Sequence, residues 1–119
     1  DRKKELIKYK GFQVPPAELE ALILTHPDIA DVAVVGVNDK EQATELPRAY
    51  VAPLPNVLNA KTASEEEKQA FAKKVVDWVG ERVANHKKLR GGVVVIEEVP
   101  KSASGKILRR FLRDRANPK

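Results

Sequence analysis

One helix constrains this chain more than any other feature. Ser64 is followed three residues later by Glu67, the capping-box pattern in which side chains and backbone satisfy one another at a helix start. Phe71, Val75, Trp78, Val79 and Val83 then recur at helical spacing, so the sequence predicts a helix from Ser64 to about Lys87 with one apolar stripe. Lys87 and Lys88 would complement the negative end of its dipole, and Gly91-Gly92 would break it. A helix with one apolar stripe needs an apolar surface to bury it. The remaining apolar runs are of strand length: Val32 to Val37, Arg48 to Leu54 and Val93 to Val99. The Trp78 stripe is read as core rather than as a ligand-binding aromatic.

The other segments fit a small sheet. Residues 4–14 read as two short strands turning at Gly11, after which Pro15 and Pro16 suit a helix start. Leu19, Leu22 and Ile23 give helical spacing between Ala17 and Thr25, and Pro27 ends that helix. Asn38 to Glu45 reads as a polar loop. A loop from Pro100 to Lys106 leads into a final basic helix, roughly Leu108 to Arg115. The expected order is β-β-α-β-β-α-β-α, an α+β fold with helices packed on a small sheet.

The 119 residues fit one compact domain, and 42% hydrophobic content can fill a modest core. No cysteine is present, which removes disulfides, thiolate nucleophiles and sulfur-based metal sites. His26 and His86 match no zinc motif, and no metal site is expected. No apolar run reaches the ~20 residues that span a bilayer. Net charge is +5 and concentrates at the two ends. That balance suits a polyanionic ligand such as a nucleotide, CoA or RNA, and equally a solvated basic face.

Two places could carry chemistry. In Pro100-Lys101-Ser102-Ala103-Ser104-Gly105-Lys106-Ile107, small residues surround a lysine beside a glycine, a loop that can approach a phosphate. It is not a Walker A loop, because Pro100 and Ile107 stand where that motif needs glycine and Ser or Thr. An ordinary turn with a solvated lysine fits the same residues. Near the start, Lys8, Lys10 and Gln13 lie on a tight hairpin, and Lys8 and Lys10 share strand parity. Lysines that protect an exposed edge strand would look the same.

The segment Asp1-Arg2-Lys3-Lys4-Glu5-Leu6-Ile7-Lys8-Tyr9-Lys10-Gly11-Phe12-Gln13-Val14 resembles the hinge motif of the adenylate-forming superfamily. Pro100 to Arg110 is similar to its C-terminal lysine motif. Pro16-Ala-Glu-Leu-Glu20, His26-Pro27, Asp31 to Gly36 and Glu45-Leu-Pro-Arg-Ala49 lie between them in the family's order. The closest resemblance is to 4-coumarate-CoA ligases and luciferases. It implies the mobile C-terminal lid of an ATP-dependent acyl-CoA ligase, a carboxylate–CoA ligase that forms AMP. Such enzymes make an acyl-adenylate and pyrophosphate from a carboxylic acid and ATP, after which the CoA thiol displaces AMP. The lid rotates between the two steps.

The resemblance assigns the following roles. Lys106 matches the adenylation lysine, and Lys8 matches the lysine that enters for the thioester step. Gln13 matches a hairpin residue near that second site. Arg2 and Asp1 match the stretch that touches the ribose, and Lys4 matches the hinge. Tyr9, Lys10 and Gly11 resemble the segment that lines the pantetheine tunnel for CoA. ATP and CoA would be substrates of the complete enzyme, with Mg2+ accompanying ATP and not held by this domain. The partner implied is an N-terminal domain with the ATP and acyl pockets, which this sequence lacks, so the chain alone is expected to be inactive. An acceptor carrier protein, or a luciferase-type oxidation, would use the same adenylate. Charge and size also allow a small basic RNA-binding module; against it stand the absence of an aromatic ladder and of a Gly-x-x-Gly clamp. A cytoplasmic or peroxisomal setting is expected, although the chain ends Asn117-Pro118-Lys119 rather than Ser-Lys-Leu. The chain opens inside the hinge motif, which suggests a cut end at Asp1. Two residues depart from the family pattern: Lys3 replaces the usual leucine, and Thr44 stands before Glu45 where glycine is common. Neither is expected to touch the chemistry.

Overall fold

A computed structural model describes residues 6–116. The elements run β1 (Ile7–Tyr9), β2 (Phe12–Val14), α1 (Pro16–Ile23), β3 (Ile29–Asp39), β4 (Thr44–Pro53), α2 (Glu65–Gly80), β5 (Val93–Val95) and α3 (Arg109–Ala116), with a 3-10 turn at Asn85–Lys87 before β5. The order is the expected one and the class is α+β.

β3 and β4 form a long antiparallel ribbon in which Val34 faces Ala49, and β5 joins β4 in parallel, Tyr50 opposite Val94. A parallel neighbour cannot be reached by a tight turn, so the chain must cross over, and α2 makes that crossing. The two faces of the sheet are covered by different elements. Val32, Val34, Ala49 and Val51 pack with Leu19 and Ile23 of α1, Phe71, Val75 and Val79 of α2, and Ile7, Tyr9 and Val14 of the β1–β2 hairpin. Ala33, Val35 and Tyr50 point the other way and meet Val99 and Leu112 of α3. Successive strand residues face opposite sides, so a strand buried on both reads as an unbroken apolar run. That is why Val32 to Val35 carries no polar alternation.

Several boundaries differ from the sequence expectation. β3 and β4 extend into the Asn38–Glu45 segment, leaving a turn of residues 40–43 in which Asp39 Oδ1 accepts the N–H groups of Glu41 (3.1 Å) and Gln42 (3.3 Å). Those strand ends are polar: Asp39 closes the turn, and the Thr44 and Glu45 side chains bond the backbone of the β1–β2 hairpin. α2 stops at Gly80, well before Lys87. Its apolar stripe closes at Val79, and Arg82 folds back to donate to the Trp78 carbonyl (2.9 Å) and lie over the Trp78 ring. Arg82 thus does what Lys87 and Lys88 were expected to do, while Lys87 pairs with Glu18 of α1. The predicted capping box is present, with Glu67 N–H donating to Ser64 Oγ (3.2 Å) and Ser64 N–H to Glu67 Oε1 (3.2 Å). Trp78 packs half-buried at the core margin, edge-on to the buried His26. β5 covers only Val93–Val95, because after Ile96 the chain leaves the sheet to bury Val99 on its other face.

Gly91 has a packing role beyond ending a helix. A Cβ there would lie 2.8 Å from the Pro47 carbonyl oxygen, which already accepts the Gly91 N–H at 2.8 Å. Glycine lets the backbone touch β4 and feed β5 alongside it.

Candidate functional site

The first candidate surface is the hairpin. β1 and β2 pair with Ile7 opposite Val14, Lys8 opposite Gln13 and Tyr9 opposite Phe12. Directly opposed residues share a face, so the register brings Lys8 and Gln13 together, both exposed. The turn uses Lys10 at φ 46° and Gly11 at φ 87°. Positive φ at both central residues matches the twist of a two-residue hairpin, which explains the glycine. Lys10 therefore sits in the turn and does not continue the parity of Lys8. Tyr9 is only 7% exposed and belongs to the core, with Arg90 and Lys10 over its ring. Its ring is packed inward, into the core beside Ile7 and Val14.

The hairpin is fixed to the turn end of the ribbon. Lys8 N–H donates to Glu45 Oε1 (2.9 Å), Lys10 N–H donates to Thr44 Oγ1 (2.7 Å), and that hydroxyl donates to the Lys8 carbonyl (2.9 Å). The Thr44 side chain, given no part in the chemistry by the sequence, is thus bonded directly to the hairpin backbone at Lys8 and Lys10. A cavity of about 210 Å³ between the hairpin and α3 is lined by Lys8, Glu45, Arg109 and Arg113 among others.

The second surface is the loop of residues 100–108. Lys101 bridges Ile107, the Ser102 N–H donates to the Lys106 carbonyl (2.9 Å), Gly105 N–H donates to Ser102 O (2.9 Å), and Leu108 N–H donates to Pro100 O (2.9 Å). Gly105, at φ 84°, makes the bend that presents exposed Lys106. Lys101 is ion-paired with Asp31 at the far end of β3. The hairpin's partner Glu45 lies opposite Asn38. Asp31 and Asn38 lie on the order of 20 Å apart at ~3.3 Å per strand residue. The structure therefore groups Lys8 with Gln13 and anchors Lys106 elsewhere. Among the described residues no carboxylate lies within ion-pairing distance of the Lys8 or Lys106 ammonium. Asp1, Arg2 and Lys4 lie outside the described residues.

Sequence reasoning gave no role to Glu20, which is 5% exposed, accepts the Val34 N–H (2.8 Å) and forms a two-pronged ion pair with Arg109. An acid flanked by Leu19 and Ile23 on the inner face of a short helix was the available signal. The same pairing, with that of Lys101, commits two of the basic side chains that had looked like a solvated patch.

The model of the AMP-binding enzyme C-terminal domain matches residues 18–106, three quarters of the chain. The chain belongs to that family. An Emericella nidulans protein that carries the name of an acyl-coenzyme A synthetase is 56% identical over 117 residues, 98% of this chain and 19% of that protein. The 4-coumarate–CoA ligase-like 1 protein of Arabidopsis thaliana is 51% identical over 115 residues, 97% of this chain and 19% of its own length. Among solved structures, the anthranilate CoA ligase AuaEII in complex with anthranoyl-AMP superposes with a TM-score of 0.79 at 30% identity, covering 97% of this chain and 20% of that one. This AMP-binding C-terminal domain thus spans about a fifth of the length of such relatives. Among its described residues there is no group of three or more His, Cys, Asp or Glu placed to hold a metal ion, and no helix is long and apolar enough to cross a membrane.

Proposed function

We propose that this AMP-binding C-terminal domain is the mobile lid of an ATP-dependent carboxylate–CoA ligase and presents a different lysine in each half-reaction. The observation that carries this reading is that the two exposed lysines are presented by separately anchored segments, the Lys8 hairpin on Thr44 and Glu45 and the Lys106 loop through Lys101 on Asp31. Two anchors about 20 Å apart by strand rise do not suit a single reacting centre in one orientation, whereas a rotating body can deliver them in turn.

In the first step a carboxylate oxygen attacks the α-phosphorus of ATP, forming the acyl-adenylate while pyrophosphate leaves. Two anions must converge, and Lys106 on its exposed bend supplies a positive charge between them. In the second step the CoA sulfur attacks the acyl carbonyl and AMP departs. Lys8 and Gln13 then face the site, with Lys10 and Gly11 beside the pantetheine arm. Rotation would occur about Lys4, with Asp1 and Arg2 against the ribose. Adenine, Mg2+ and the acyl chain would be held by the domain that precedes this one. Support comes from the family membership, from the ligase names of the relatives and from the exposure of Lys8 and Lys106.

The test uses the enzyme in which this domain is joined to its ATP- and acyl-binding domain. Pyrophosphate release and acyl-CoA formation from supplied acyl-adenylate are followed in wild type, Lys106→Ala and Lys8→Ala. Lys106→Ala is expected to lose adenylation by about 100-fold or more while keeping thioester formation, as for removal of one positioned charge at a developing anion. Lys8→Ala is expected to do the reverse. Retention of both half-reactions by both variants would reduce these lysines to surface charges.

A further inference from the structure

The proposed half-reactions assign no role to Glu20, yet both its carboxylate oxygens are engaged inside the protein. Oε2 accepts the Val34 N–H at 2.8 Å and Arg109 Nε at 3.0 Å, and Oε1 accepts the other arm of the same guanidinium. β3 is an edge strand, so the Val34 N–H has no strand neighbour and needs another acceptor. The three groups belong to three elements. Glu20 lies on α1, which packs on one face of the sheet, and Arg109 opens α3, which packs on the other. The pair therefore wraps the open edge of the sheet and ties its two faces together.

Arg109 stands three residues after Lys106. Between them, Ile107 is bridged to Lys101 and the Leu108 N–H is bonded to the Pro100 carbonyl. The loop that carries Lys106 is thus a closed ring, and the clasp sits at its base. A second peg, the Lys101–Asp31 pair, is half-open to solvent, with side chains 40% and 25% exposed. Exposed pairs hold geometry weakly. In the Arg109–Glu20 pair the side chains are 15% and 7% exposed. Buried pairs seldom stabilise more than an apolar pair of the same volume would. A two-pronged guanidinium–carboxylate pair instead fixes position and angle.

The geometry points to Glu20 as a positioning residue for adenylation: acting through Arg109, it sets where the Lys106 loop stands on the sheet. This rests on the reading of Lys106 as the adenylation lysine. Thioester formation does not depend on the clasp in the same way, because Thr44 and Glu45 hold the Lys8 hairpin independently. Arg109 also borders the cavity beside Lys8, so Glu20 is the substitution that separates the two steps.

Glu20→Gln keeps the shape and an acceptor for Val34 but removes the charge. In the joined enzyme, its adenylation kcat is expected to fall about tenfold or more, since a misplacement near 1 Å can cost ~100-fold. Thioester formation from supplied acyl-adenylate stays within about twofold of wild type on the same argument. In the 119-residue chain, amide exchange at Gly105 and Leu108 quickens while the core amide of Val51 keeps its protection. If the Gln variant does not fold, Glu20→Asp, which keeps the charge but shortens the arm, is read for the same ratio. Equal loss of both half-reactions, or loop amides that exchange as in wild type, would show a pair that only holds the fold together and would overturn the proposal. Lys106→Ala is run alongside. If that variant keeps adenylation, the reading of Lys106 itself falls and takes the clasp's role with it. If it loses adenylation while Glu20→Gln does not, only the proposal about Glu20 falls.

Discussion

The Thr44 hydroxyl both accepts from the Lys10 N–H and donates to the Lys8 carbonyl. Thr44→Val keeps the shape and removes both bonds. Because the groups are near solvent, water replaces them, and the stability cost should stay near 1 kcal/mol by denaturant midpoint. The hairpin loses an anchor, so the joined enzyme should lose more of the thioester step than of adenylation. Equal rates in the two half-reactions would show that the Thr44 bonds do not bear on Lys8. Gly91 makes the opposite kind of demand. Its added methyl would meet the Pro47 and Leu46 carbonyl oxygens at 2.8 and 3.1 Å, and these are backbone atoms that cannot swing aside. Gly91→Ala is expected to destabilise by about 1–3 kcal/mol, read as a lower thermal midpoint of the 119-residue chain. An unchanged midpoint would mean the lead into β5 can shift freely.

At the scale of elements, α2 shows what a sequence can announce about itself. Ser64 and Glu67 satisfy each other's backbone donors, and the stripe of Phe71, Val75 and Val79 is buried against the sheet. Ser64→Ala should cost about 1 kcal/mol and fray the first turn, seen as faster amide exchange at Glu67. The start and inner face of α2 were legible because capping and periodicity are local. Its end was not, because Arg82 reaching back to Trp78 is a choice between continuing a helix and closing it, made where the apolar stripe runs out. β4 shows the same division. Its apolar half, near Ala49 to Ala52, was visible, while its polar start at Thr44 became strand only because Asp39 and Asn38 were opposite to receive it.

At the scale of the molecule, one sheet is covered by different elements on its two faces. α1, α2 and the hairpin cover one face, α3 and the segment around Val99 cover the other, and the Glu20–Arg109 pair joins them around the β3 edge. Under the lid reading, the 119-residue chain should fold and yet form no acyl-adenylate from ATP and a carboxylic acid, since that reading assigns both substrates' pockets to the joined domain. Adenylate formation by the chain alone would overturn that reading. Among the described residues, Lys101 and Arg109 are paired with carboxylates, while Lys8 and Lys106 are exposed on anchored backbone.

By itself the sequence determined the α+β class, the order of the elements, the capped start of α2, the turn at Gly11 and the two lysine-bearing segments. Each is set by local chemistry, such as periodicity, capping or positive φ, or by motifs contiguous along the chain. Only the tertiary structure decided that Tyr9 turns inward, that Lys10 leaves the parity of Lys8, that Thr44 and Glu45 hold the hairpin, and that Glu20 meets Arg109 eighty-nine residues away. Those outcomes depend on which groups meet across the fold, where the cost of a buried unpaired charge or backbone donor selects the partner, and no local stretch of sequence carries that information.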